Sequence, residues 1–107
     1  MLKDNGVELL GLRPEMAAAI AIIIPCFARH DCPFVITSAC EQSTTHGRTS
    51  LHYAGSAIDL RTMDHATGQR HPAIERVFID IQDALNIDFD VIDEGDHIHI
   101  EYQPRRR

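Results

Sequence analysis

The last strand-forming segment of the chain alternates apolar and polar side chains, and this pattern constrains the fold more than any other feature. Side chains at alternate positions of a strand share a face, so Ile98 and Ile100 should point into a core while His97 and His99 point away from it. Residues 89–92 form a second run of strand type, and residues 93–96, which include Gly95, are typical of a turn. Residues 89–102 are therefore predicted to form an antiparallel hairpin.

Two other segments carry apolar residues at helical spacing. Residues 9–30 are predicted to form the first helix, in which Pro14 suits the first helical position and Pro25 is expected to end or kink the helix. Residues 72–85 are predicted to form the second helix. The residues expected to face the core are Met16, Ile20, Ile23 and Ile24 in the first helix and Ile74, Val77, Ile81 and Leu85 in the second.

Two further strands are predicted between the helices. Residues 33–38 are rich in strand formers, residues 41–50 are polar and predicted to form a loop, and residues 56–60 can form the second strand. The order of helix, two strands, helix and hairpin predicts an α+β fold with a small antiparallel sheet flanked by helices. A chain of 107 residues fits one domain, so residues 1–107 are assigned to a single domain.

Composition excludes some classes of protein. The net charge of −6 argues against a nucleic-acid partner, which normally meets a basic face. The longest apolar run, residues 17–24, is too short to span a bilayer, so no membrane insertion is expected. Residues 105–107, three arginines, are predicted to form a disordered tail, with a weak anchor to an anionic polymer as the alternative. Cys26, Cys32 and Cys40 match no common zinc module and are expected to be reduced.

Two histidines and one aspartate are candidates for a metal site. Asp59 falls within an apolar strand, where a carboxylate is costly unless it is paired or bound to a metal. Gly55 allows the chain to fold back and bring His52 towards Asp59, and His99 lies on the polar face of its strand. Three protein ligands with one position left for water are typical of catalytic zinc. Asp96 is then the candidate for the carboxylate that takes a proton from that water.

Each of these residues also has a simpler interpretation. His52 alone is compatible with an ordinary loop histidine, and Asp59 alone could cap a turn or pair with Arg61. Asp96 alone is a plausible residue for the hairpin turn. A structural domain whose histidines cluster by coincidence is therefore the plainest alternative to a metal site.

Two short runs together resemble the signature of a known family. Residues 50–59, Ser-Leu-His-Tyr-Ala-Gly-Ser-Ala-Ile-Asp, fit the pattern Ser-x-His-x-x-Gly-x-Ala-x-Asp, and residues 96–99, Asp-His-Ile-His, fit acidic-x-x-His. Together they resemble the zinc D-alanyl-D-alanine carboxypeptidase family. That family also includes the D,D-dipeptidases of vancomycin resistance and the phage endolysins that cleave L-alanyl-D-glutamate. The resemblance extends over residues 9–104 and is closest to small phage or prophage members.

The resemblance implies a role for each residue of the candidate site. His52, Asp59 and His99 correspond to the zinc ligands, and Asp96 corresponds to the general base that later protonates the leaving amine. His97 is expected to orient water or to stabilise the oxyanion. The implied fold, shared with the hedgehog signalling domain, is a small antiparallel sheet flanked by helices.

The sequence departs from the family at the arginine that polarises the substrate carbonyl or binds a carboxylate. Many members carry it just after the strand that ends here at Ser38, where this chain has Glu41 nearby. Arg48 and His46 in the following loop could supply a positive group, and Arg61 is another option. Arg48 is taken as the catalytic candidate.

The expected function is zinc-dependent hydrolysis of an amide bond in bacterial peptidoglycan peptides, with either D,D or L,D specificity. The first residues lack the organisation of a signal peptide, so the protein is expected to be made in the cytoplasm and to act at the cell wall or periplasm after release. The alternative is a non-catalytic zinc-containing module on the same fold that binds cell-wall peptides or a phage assembly partner.

Overall fold

A computed structural model describes residues 11–39 and 55–104 of the chain. The elements follow one another as α1 (Pro14–Ala28), β1 (Ile36–Ser38), β2 (Ala57–Arg61), α2 (Ile74–Ala84), β3 (Phe89–Asp93) and β4 (His97–Tyr102). The predicted α+β class with an antiparallel sheet is confirmed at this level. The predicted tail at residues 105–107 lies outside the described residues. None of the described helices is long and apolar enough to cross a membrane.

The four strands form one antiparallel sheet in the order β1-β2-β4-β3. The predicted hairpin is confirmed, because β3 and β4 pair along their length from Phe89 opposite Tyr102 to Asp93 opposite Ile98. β2 lies on the other side of β4, and its register places Asp59 opposite His99 and Arg61 opposite His97. Strands far apart in the sequence therefore meet at the centre of the sheet.

One face of the sheet is closed by the helices. Ile58, Leu60, Ile98 and Ile100 point from β2 and β4 into this interface and are fully buried. Each such side chain stabilises the fold by about 1.5–3 kcal/mol relative to an exposed position. The helical side chains in the same cluster include Met16, Ile23, Phe27, Ile74, Val77 and Ile81. The opposite face, here called the outer face, carries Asp59, Arg61, His97, His99 and Glu101.

Helix α1 differs from its prediction in its bounds, at Pro25 and in one predicted core residue. Residues 11–13, 29 and 30 of the predicted span are not helical, and the helix continues through Pro25 to Ala28, so Pro25 does not end it. A proline removes only its own N–H from the ladder, and the backbone N–H of Arg29 still donates to the Pro25 carbonyl at 2.9 Å. Ile24, predicted to be in the core, is 44% exposed. It lies about 100° around the helix from the buried Ile23, outside the stripe that packs on the sheet.

The other elements agree with their predictions more closely. Helix α2 begins two residues after Pro72, and its predicted stripe of Ile74, Val77, Ile81 and Leu85 is buried. Strand β1 is shorter than predicted and begins at Ile36. Cys26 and Cys32 are buried free thiols, as expected, whereas Cys40 lies outside the described residues.

Gly55 directly precedes the segment that leads into β2. Its φ is +75°, which L side chains rarely adopt, and a Cβ on it would lie 2.0 Å from the Gly11 carbonyl oxygen. The Gly55 carbonyl in turn accepts a hydrogen bond from the Arg13 backbone N–H at 3.1 Å. Only glycine allows this close approach, which joins the start of β2 to the segment before α1.

Candidate active site

The outer face gathers the polar side chains of two adjacent strands. Asp59 and Arg61 come from β2, and His97, His99 and Glu101 come from β4. Within each strand these residues are two positions apart, so their side chains point to the same side. The register places Asp59 opposite His99 and Arg61 opposite His97, so the two sets share one face of the sheet. The apolar residues between them face the helices. The alternation of the sequence therefore places polar side chains on the side of the sheet opposite the core.

Asp59 and His99 form the centre of this face. Asp59 Oδ1 lies 2.8 Å from His99 Nδ1. Both side chains are largely buried, with 15% of the Asp59 side chain and 16% of the His99 side chain exposed. On the other edge of the imidazole, His99 Nε2 lies 2.8 Å from Glu101 Oε1. Both ring nitrogens therefore face carboxylate oxygens. The hydrogen bond to Asp59, joined by the one to Glu101, raises the pKa of His99 to about 9, although burial acts in the opposite direction.

Asp96 and His97 form a second pair at the start of β4. His97 Nδ1 lies 2.6 Å from Asp96 Oδ1, and His97 Nε2 lies 3.7 Å from Asp59 Oδ1. The Asp96 side chain is 75% exposed. An open pocket on this part of the outer face, here called the site pocket, is lined by Thr37, Asp59, Arg61, Met63, Asp96 and His97. The Asp96 carboxylate is therefore accessible to a ligand that lies beside Asp59.

The position of Asp96 depends on the turn between β3 and β4. The Gly95 carbonyl accepts hydrogen bonds from the buried Thr62 hydroxyl at 2.8 Å and from Arg70 Nη1 at 2.9 Å. Arg70 also forms an ion pair with Asp93, which lowers the pKa of that carboxyl. These contacts connect the turn to the segment that follows β2, so that Asp96 is held close to the Asp59 strand.

Two of the predicted site residues lie outside the described residues. These are His52, the third zinc ligand in the prediction, and Arg48, the predicted catalytic arginine. Glu41 and His46 also lie outside them. Their roles stay predictions, whereas the structure does bring Asp59, Asp96, His97 and His99 together on one face.

The side chains of Asp59 and His99 at the centre of the outer face are of the chemical types that bind zinc. An imidazole nitrogen and a carboxylate oxygen are both common zinc ligands. Within residues 11–39 and 55–104 no group of three or more histidine, cysteine, aspartate or glutamate side chains is arranged to hold a metal. Asp59 and His99 thus account for two donors, and their 2.8 Å contact is that of a hydrogen-bonded pair. Two ligands of a tetrahedral zinc lie about 3.3 Å apart, so the pair must part by roughly half an ångström.

Glu101 was not predicted from the sequence. The signal was present, because Glu101 continues the alternation of His97 and His99 along β4. A histidine that binds a metal usually donates its second ring N–H to a carboxylate or carbonyl, which fixes the orientation of the ring. Glu101 meets His99 Nε2 in this way and leaves Nδ1 directed at Asp59.

Substitution of Glu101 tests this arrangement. In the zinc site that the sequence predicts, Glu101→Gln should weaken zinc binding by roughly 10- to 100-fold, because a neutral amide no longer supports positive charge on the His99 ring. Competition with a chromophoric chelator measures the affinity. Glu75→Gln, an exposed site on α2, is the matched control and should leave the affinity unchanged. Equal zinc affinities for wild type and Glu101→Gln would show that Glu101 does not contribute to zinc binding through His99.

The pKa of His99 predicts how the stability of the metal-free protein depends on pH. The folded pKa of about 9 exceeds the ordinary value of 6.5, so protonated His99 favours the folded state. Its contribution is complete below pH 6.5 and is lost as the pH rises through 9. In the presence of a chelator, the free energy of unfolding should therefore fall by on the order of 3 kcal/mol over this range.

Urea unfolding of wild type and of His99→Gln measures this loss. The measurements run from about pH 6 to about pH 10, a range that includes both the ordinary and the folded pKa of His99. Burial also raises the pKa values of the Cys26 and Cys32 thiols, which adds a loss of the same sign at high pH. The difference between the two proteins cancels that contribution. A difference that stays constant with pH would contradict the assignment.

Comparisons with protein-family models, with curated proteins and with solved structures found no match to this chain. The resemblance to the zinc peptidases therefore rests on the short runs at residues 50–59 and 96–99. What the outer face does must be inferred from its own residues and their geometry.

Proposed function

We propose that the protein is a zinc-dependent peptidase that hydrolyses an amide bond in bacterial cell-wall peptides. The observation that carries the proposal is the largely buried pair of Asp59 and His99, which lies beside a pocket lined by Asp96 and His97. Two metal-ligand donors next to an accessible carboxylate match the arrangement that metal-assisted hydrolysis needs.

In this proposal Asp59 and His99 hold the zinc together with His52. The sheet with two helices on one face and a polar outer face supports a hedgehog-like or DD-peptidase-like fold, as the resemblance implies. Glu101 orients the His99 ring through Nε2. Two imidazoles and one carboxylate would provide the three protein ligands that are typical of a catalytic zinc.

The residues around the metal divide the reaction between them. Zinc, when bound, supplies a Lewis acid that activates water and polarises the amide carbonyl. Asp96 accepts the proton of the attacking water and afterwards delivers it to the leaving amine. His97 holds the Asp96 carboxylate through a 2.6 Å hydrogen bond and presents its other nitrogen to the pocket. The hairpin turn, held by Thr62 and Arg70, keeps this pair in place.

A digest of purified peptidoglycan tests the proposal. Zinc-reconstituted protein should release new amino termini, and mass spectrometry of the muropeptides identifies the bond as D,D or L,D. The same protein with excess chelator is the control and should release none. Intact peptides after prolonged incubation with the zinc-loaded protein would refute the proposed activity.

A second candidate is a zinc-containing module that binds cell-wall peptides or a phage assembly partner without cleaving them. The departure from the family pattern at Glu41 favours it, because the usual substrate-binding arginine is not found there. The accessible Asp96 carboxylate favours the peptidase, since a module that only binds has no need of a base. Retention of peptides on the protein without any cleavage would identify the binding module.

A further inference from the structure

Helix α1 carries an apolar face that is open to solvent. Residues 16–28 are all apolar, and a helix that is apolar on every side is normally buried on every side. Here the side towards the sheet is buried, whereas Ile22 and Ile24 on the opposite side are 43% and 44% exposed. This exposed side, here called the α1 face, also includes Ala17, Ala18, Ala21, Pro25 and Ala28.

The neighbouring helix extends this apolar surface. Helix α2 packs beside α1 against the same face of the sheet. Its Ile79, which is 53% exposed, lies on the side opposite the buried Val77 and Ile81, because successive residues are about 100° apart around a helix. Three of the five large apolar side chains that are exposed in the described segments thus lie on the outer side of the helical layer. Contiguous apolar surface of this kind marks an interaction site.

Charged side chains lie at both ends of the α1 face. Glu15 is in the first turn and Arg29 is the C-cap, and both are exposed. They are 14 residues apart in the sequence, so they lie about 40° from each other around the axis, on the same edge of the face. Arg29 donates to Asp80 through Nη1, and its side chain remains 59% exposed. The guanidinium therefore has N–H donors left for a second carboxylate.

These two charges complement each other in an antiparallel pair of α1 helices. Glu15 and Arg29 are each seven residues, or about 10 Å, from the midpoint at Ile22. A two-fold axis at this level places Glu15 of one copy beside Arg29 of the other, and the second pair forms by symmetry. Between the charges, Ala17, Ala21, Ile24 and Ala28 follow at the intervals of four and three residues that are typical of paired helices.

We infer that the protein forms a homodimer in which the α1 faces of two copies pack antiparallel. A lipid surface fits less well, because a helix that lies on a membrane has a charged side opposite its apolar side, and the opposite side of α1 is part of the core. The 15 residues of α1 provide a contact about 22 Å long, which is at the small end of specific interfaces. A dissociation constant on the order of micromolar is therefore expected. This inference is independent of the proposed function.

Sedimentation equilibrium tests the dimer. Between about 1 µM and about 1 mM, the mass of wild type should rise from 12.0 kDa to twice that value. Ile24→Lys places a charge in the centre of the contact and should raise the dissociation constant by about 10-fold or more. Ile87→Lys, which alters an isoleucine that is exposed outside the helices, is the matched control and should dimerise as wild type does.

Charge exchange tests the antiparallel pairing. Glu15→Lys places two positive charges beside each other in each copy of the pair and should weaken the dimer by roughly three- to tenfold. Adding Arg29→Glu to the same chain should restore the affinity, because each pair is then reversed. Thermal unfolding of both variants checks that the second change, which lies beside Asp80, leaves the fold intact.

A cysteine cross-link gives the same information without changing a charge. In a Cys40→Ser background, Ala21→Cys should form a disulfide between two copies on oxidation, because residue 21 lies next to the two-fold axis. Ala17→Cys is the control. Its two copies are separated by about 15 Å along the helices in the antiparallel pair, beyond the reach of a disulfide.

The results that overturn the inference follow from these measurements. Wild type that stays monomeric up to about 1 mM has no such dimer, and an Ile24→Lys protein that dimerises as wild type does uses another surface. Cross-linking at residue 17 but not at residue 21 excludes the antiparallel pair. A monomeric protein that sediments with phosphatidylcholine vesicles, and no longer does so after Ile24→Lys, would assign the α1 face to a membrane instead.

Discussion

Replacement of Asp96 by alanine is expected to abolish most of the hydrolysis of cell-wall peptides while the protein still binds about one zinc per chain. A positioned general base contributes roughly 10²- to 10⁴-fold to the rate, and a loss of this size in kcat is expected. Asp96 contacts His97 and is 75% exposed, so its removal creates no cavity in the core. The loss should therefore arise from chemistry and not from unfolding.

Steady-state kinetics on a defined muropeptide and elemental analysis of the same samples measure the two effects. Asp96→Asn keeps the shape of the side chain but cannot accept the proton, and it should be as inactive as Asp96→Ala. Asp83→Ala, at an exposed position on α2, is the matched control and should retain wild-type activity. Full activity in Asp96→Ala would assign the base to another residue.

Replacement of His99 by alanine is expected to remove both the zinc and the activity. His99 is one of the two proposed ligands that the structure describes, and it lies against Asp59 and Glu101. His99→Ala removes the ring that lies between the carboxylates of Asp59 and Glu101, so both lose their hydrogen bond to it. Both zinc stoichiometry and hydrolysis should fall to the level of chelator-treated wild type.

Thermal unfolding gives a readout of zinc binding that does not depend on activity. A ligand at about 100 times its dissociation constant stabilises the folded state by about 2.7 kcal/mol, so zinc should raise the Tm of wild type but not that of His99→Ala. His65→Ala, which alters an exposed histidine, should bind zinc as wild type does. Wild-type protein that takes up no zinc on reconstitution would refute the metal site itself.

The sequence alone determined which way most side chains point. The alternation in β4 places Ile98 and Ile100 in the core and His97 and His99 on the outer face, because a strand has a period of two. The helical stripe of α2 was predicted for the same local reason. In α1 the composition is apolar on every side, so periodicity could not show that Ile24 is exposed.

Only the tertiary structure decided which of these side chains meet. Asp59 and His99 are 40 residues apart, and a shift of β2 by one residue against β4 would remove their contact. The same register places Arg61 opposite His97, beside the site pocket. Local spacing sets the face on which a residue lies, but partners across a sheet depend on strand pairing, which is fixed by packing throughout the core. The sequence therefore supplied the residues of the candidate site, and the pairing of β2 with β4 assembled those that the structure describes.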